Sequence, residues 1–121
     1  MDKVQALTAF WNTFLPAYDE TLVLDEAAVM PYITFAVVTD GFDSPFTTSV
    51  SLWYRSTSWK AITKKAEAIE DAIGAGGKLV PYEDGAIWIK KGSPFSQRLS
   101  DPDPAVRRIV LNVEMEYLNE V

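Results

Sequence analysis

The sequence predicts an α+β fold: a mostly antiparallel sheet of four to five strands with two helices packed on one face, in the order α-β-β-α-β-β-β. Three observations predict it. Residues 46–55 alternate, with Phe46, Thr48, Val50, Leu52 and Tyr54 on one side and Thr47, Ser49, Ser51, Trp53 and Arg55 on the other, the period of a half-buried strand. Immediately afterwards the period changes: Trp59, Ile62, Ala66, Ile69 and Ile73 recur every three or four residues, as one face of a helix does. Near the C-terminus Ile109, Leu111, Val113, Met115 and Tyr117 alternate with Arg108, Asn112, Glu114 and Glu116, so a strand of residues 106–118 has one apolar face and one wet face.

The elements follow in order. Asp2 is placed to cap a helix over residues 2–15, whose apolar stripe is Val4, Leu7, Phe10, Trp11, Phe14 and Leu15, and Pro16 stops it. Residues 17–30 hold Asp19, Glu20, Asp25 and Glu26 without periodicity; they read as a long surface connection. Residues 32–39 read as a strand apolar on both sides, with Tyr32, Ala36 and Val38 on one and Ile33, Phe35 and Val37 on the other. A turn over residues 40–45 then pairs it with residues 46–55 in a hairpin. Gly74 ends the second helix. That helix runs against its own dipole, with Lys60, Lys64 and Lys65 first and Glu67, Glu70 and Asp71 last. This is either a solvated face or a charge-segregated surface that meets a partner. Residues 78–82 and 86–91 form a second hairpin about Glu83-Asp84-Gly85, and Pro81 marks the first of its strands as short or at an edge. Residues 92–104 hold three prolines and read as a stiffened loop.

The length, 121 residues with 48% apolar content, suits one globular domain over residues 1–121. No apolar run is long enough to span a bilayer, and the N-terminus lacks the pattern of a signal peptide; no membrane partner is expected. A net charge of −6 argues against general nucleic-acid binding, which draws on clustered Lys and Arg. With no His and no Cys there is no thiol nucleophile, no Ser-His triad, no Cys or His zinc site and no disulfide. Two carboxylate pairs remain, Asp40 with Asp43 and Asp101 with Asp103. Both sit among Pro and Gly residues, where Asp commonly bonds its own backbone. Gly74-Ala-Gly-Gly follows a helix rather than preceding one, so it lacks the helix N-terminus that holds a phosphate. Hence no catalytic, cofactor or metal site is expected.

What remains is a surplus of aromatic and arginine residues off the core face. Phe42, Phe46, Trp53, Arg55, Phe95 and Arg98 are the candidate contacts to another chain, because Trp and Arg are enriched at interfaces. Arg98 has two readings: a brace to Asp101 or Asp103 within its loop, or a contact to an acidic residue of a neighbouring subunit.

Several short motifs resemble the tail terminator (tail-completion, head-to-tail joining) proteins of long-tailed bacteriophages and their prophage relatives. They are Pro31-Tyr32-Ile33-Thr34-Phe35, Ser49-Val50-Ser51-Leu52-Trp53, Ser58-Trp59, Ser93-Pro94-Phe95-Ser96-Gln97-Arg98 and the run from Asp103 to Ile109. The resemblance implies a structural virion protein and not an enzyme. Such proteins form a ring, typically a hexamer, that caps the major tail tube protein and offers a surface to the head completion or connector protein. It implies self-association, a place in the virion tail after assembly in the host cytoplasm, no cofactor and no sequence-specific nucleic acid. The alternatives are another phage head-completion or joining protein and, from a different class, a small carboxylate-dependent α+β enzyme.

Overall fold

The computed structural model describes residues 2–21, 29–37 and 45–119. Two helices, α1 (Lys3–Asn12) and α2 (Lys60–Ile73), accompany six strands: β1 (Ala17–Asp19), β2 (Tyr32–Phe35), β3 (Phe46–Arg55), β4 (Lys78–Tyr82), β5 (Gly85–Leu99) and β6 (Val106–Asn119). All six strands form one sheet in the order β1-β2-β3-β6-β5-β4. The class is α+β as expected, but the sheet has more strands than expected and is mixed, because β1 runs parallel to β2.

α1 starts where Asp2 caps it. The Asp2 carboxylate accepts the Gln5 N–H at 2.8 Å, and the Gln5 side chain accepts the Asp2 N–H at 3.0 Å, a reciprocal capping box. α2 has no side-chain cap from Trp59; the Ser58 hydroxyl accepts the Lys60 N–H at 3.1 Å instead. It ends at Gly74, whose φ of 72° lies in the left-handed region that glycine tolerates.

The apolar sides of the strands and both helices meet in one core. Leu7 and Trp11 of α1 and Ile62, Ala66, Ile69 and Ile73 of α2 are buried. They close over Ile33, Phe35, Val50, Leu52, Ile87, Ile89, Ile109, Leu111, Val113, Met115 and Tyr117 of the sheet. α2 lies against β3, β6 and β5, whereas α1 touches both edge strands, β1 and β4. The sheet therefore curls so that one helix contacts both margins.

Three expectations change. The connection after α1 contains β1: Ala17 and Asp19 pair with Ile33 and Phe35, and the Ile33 N–H bonds the Pro16 carbonyl at 2.8 Å. Three residues are too few to show a period, so pattern alone reads them as loop. β2 ends at Phe35, and only Ile33 and Phe35 are buried in it; its Tyr32 and Thr34 face the side without helices. Val38 and Thr39, the turn residues 40–44 and acidic residues Asp25 and Glu26 lie outside the described residues. Lastly, the proline-rich stretch is largely strand. β5 continues through Leu99 with an irregularity between Lys91 and Ser96. Pro94 falls in that irregularity, where the ladder is already interrupted, and the Asn112 side chain donates to its carbonyl at 2.8 Å; Pro102 and Pro104 lie in the turn between β5 and β6. Pairing then resumes from Ser96 opposite Leu111 to Leu99 opposite Arg108. β4 is the edge strand that Pro81 announced, and the turn between Tyr82 and Gly85 is two residues long.

Candidate functional site

Among the described residues the helices occupy one face of the sheet and nothing covers the other. Register decides what that open face carries. Tyr32 of β2 lies opposite Trp53 of β3, Trp53 opposite Arg108 of β6, and Arg108 opposite Leu99 of β5. Four strands thus contribute one residue each to a single row, and Tyr18 of β1 extends it. The Tyr18 and Tyr32 rings meet edge to face at 5.8 Å, Tyr32 and Trp53 are 6.4 Å apart, and the Arg108 guanidinium lies 4.5 Å from the Trp53 ring centre.

The polar ends of the row are tied down. The Trp53 indole N–H donates to the Thr34 hydroxyl at 2.9 Å. Arg108 donates twice to the Ser51 hydroxyl, at 3.3 and 3.0 Å, which places a hydrogen-bond acceptor under the guanidinium where Ser51 is buried. The row is therefore rigid but still partly exposed, and Leu99 at its end is 41% exposed. Near the β4 margin of the same face Leu79, 56% exposed, lies opposite Trp88. Lys90 lies 4.2 Å over the Trp88 ring and 3.6 Å from Glu114.

Of the residues singled out from sequence, Trp53 and Arg55 share this open face. Arg55 is exposed and meets Asp103 at 3.5 Å. Phe46 points to the helix side, packed on the core with its ring 5.6 Å from that of Tyr117. Phe95 also packs against the core. Arg98 braces neither Asp101 nor Asp103; its guanidinium lies 4.8 Å over the Trp59 ring, beside that of Arg107 at 5.3 Å. Phe42 and the Asp40–Asp43 pair lie outside the described residues. Asp101 and Asp103 serve their own turn: Asp101 accepts the Asp103 N–H and Asp103 the Ala105 N–H, each at 2.9 Å. Among the described residues no three potential metal-binding side chains come together.

Tyr18, Tyr32, Leu99 and Arg108 complete the row without having been singled out. Arg108 stood on the polar side of its strand, and only the pairing of β3 with β6 brings it to Trp53. Perturbed titration lies elsewhere, on the helix side. Burial raises the hydroxyls of Tyr54, Tyr82 and Tyr117, helped at Tyr82 by Asp84 and at Tyr117 by Tyr82. A phenol whose pKa burial raises stays neutral and is not a poised base. No protein-family model and no curated protein matches the chain.

Proposed function

We propose that this chain is a structural assembly protein of a long-tailed phage or prophage. In this reading it closes into a ring on the tail tube, stops tube growth and offers the head its joining surface. The observation that carries the reading is the open sheet face. Its row holds Tyr18, Tyr32, Trp53 and Arg108, of the residue types that dominate interface energies, and the Trp53 indole and Arg108 guanidinium are hydrogen-bonded within the subunit. A face of this kind on one side and two helices on the other give the domain two unlike surfaces. Contact between unlike surfaces, repeated by a rotation that closes, makes a ring. The short motifs from residue 30 onward that resemble tail terminators support the specific assignment. The nearest rival, another head-completion protein, would use the same face against a different neighbour.

Electron microscopy of tails assembled without this chain tests the assignment. Overlong tails of irregular length that fail to join heads are expected; tails of normal, uniform length that join heads would overturn it. Tails of normal length that stay headless would favour the head-completion reading.

A further inference from the structure

We infer that the groove between α2 and β5 receives the Arg55 guanidinium of a second copy of this chain. The inference rests on the ring reading above and adds the two surfaces that meet.

The groove lies on the helix side of the sheet, with Ala66, Phe95 and Ile109 supplying apolar lining and Glu67, Glu70 and Arg98 the charges. Its volume is about 270 Å³. That is below the roughly 300–1,000 Å³ of small-molecule sites and suits one long side chain. Two carboxylates against one guanidinium leave it net negative. Among the described residues neither Glu67 nor Glu70 has an ion-pair partner, and Arg98 is already engaged with the Trp59 ring. The Thr63 hydroxyl, also on the lining, is buried with no hydrogen-bond partner among the described residues. Such a site asks for a donor-rich cation with an apolar stem, which describes arginine better than lysine.

Of the cations on the open face, Arg108 is held by Ser51 and Trp53 and Lys90 by Glu114 and Trp88. Arg55 is the loosely held one, its side chain 62% exposed and its only ion pair among the described residues long and exposed, an interaction worth little. It sits beside the aromatic row and on the opposite side of the sheet from the groove. A contact from Arg55 to the groove of another copy is therefore head-to-tail, and it brings the Trp53 row against the next subunit. It also gives the reversed charge order of α2 a use, since Glu67 and Glu70 fall where the groove needs them.

Charge reversal tests this, read by light scattering on the full chain and by thermal melting. Arg55→Glu and the pair Glu67→Arg with Glu70→Arg should each weaken self-association at least about 30-fold, as loss of a buried interfacial charge pair does, while melting stays near wild type. Combining all three changes should restore assembly. Single-side reversals that leave assembly intact would overturn the groove contact and spare the ring. A wild-type chain monomeric at millimolar concentration would overturn both. Reversals that spare self-association yet abolish binding to tail tubes would identify the occupant as the tube protein and overturn the inference.

Discussion

Replacing Trp53 by alanine separates what the open face does for the fold from what it does for assembly. In the subunit the change removes the hydrogen bond to Thr34, worth about 1 kcal/mol net. It also removes the Arg108 stack, worth about 0.5–1 kcal/mol, and the Tyr32 contact, worth about 0.5–1 kcal/mol. The fold should lose about 2–3 kcal/mol, seen as a melting temperature lower by about 10 °C. A domain of ordinary stability, about 5–15 kcal/mol, stays overwhelmingly folded at 25 °C after that loss. Any fall in association at 25 °C then belongs to the interface. A tryptophan at the centre of an interface costs about 2 kcal/mol or more on truncation, a factor of about 30 in the dissociation constant. Urea unfolding of dilute protein gives the first number and concentration-dependent light scattering the second. Melting within about 2 °C of wild type would refute the packing of the row. Association weakened only as far as the unfolded fraction explains would refute its role in assembly.

Two further outcomes follow from the packing. Gly77 has φ +83°, and a Cβ there would sit 2.6 Å from the Trp88 indole nitrogen and 2.7 Å from the Ile89 carbonyl. Gly77→Ala should therefore cost about 2–4 kcal/mol, while Gly76→Ala, with open space around it, should be neutral or slightly stabilising; chemical denaturation of both variants gives the comparison, and equal effects would be wrong for this turn. The raised pKa of Tyr54, Tyr82 and Tyr117 fixes the sign of a pH effect. Above a pH of about 10 the unfolded chain releases phenol protons that the folded chain still holds, so the stability they contribute is full below that pH and is lost as pH rises through the folded values. Absorbance titration should show these three phenols ionising late and together with unfolding, and a melting temperature unchanged between pH 9 and 11 would contradict their burial.

The parts of the fold legible in the sequence are those where one face is buried for long enough to leave a period. α2, β3 and β6 are such elements: each has at least ten residues, and each shows its buried side as an unbroken series. β1 has three residues and no series to show. The second half of β5 was hidden by Pro94 and by the prolines of the turn after it, because a rule about hydrogen-bond donors cannot see that the irregularity between Lys91 and Ser96 puts Pro94 where no donor is needed. The candidate site was half legible for a related reason. Trp53 and Arg55 stood out as large residues on the wrong side of a strand, but a row across five strands is a property of register. Register is fixed by pairing between segments more than 50 residues apart in the case of Trp53 and Arg108, and no local pattern holds that information. Phe46 shows the opposite failure. Its position in the alternation put it on the core side, and its aromatic ring alone suggested a surface role.

The open face is better suited to docking than an ordinary wet sheet face because its cost of ordering is already met within the subunit. Association immobilises side chains at about 0.5–1.5 kcal/mol each and leaves poorly paired polar groups dry. Here Trp53 and Arg108 are fixed before contact, one by Thr34 and the other by Ser51, and neither bond has to break for the proposed contact to form. The same bonds restrain the face in the free subunit. An unpaired row of Tyr, Trp and Leu would be an aggregation hazard, whereas a guanidinium lying over the indole puts a charge at its centre. Thr34→Val with Ser51→Ala would keep the row's size and remove both anchors. If preorganisation is the reason for them, this double variant should remain folded yet associate about tenfold more weakly. Unchanged association in light scattering would assign the anchors to the fold alone.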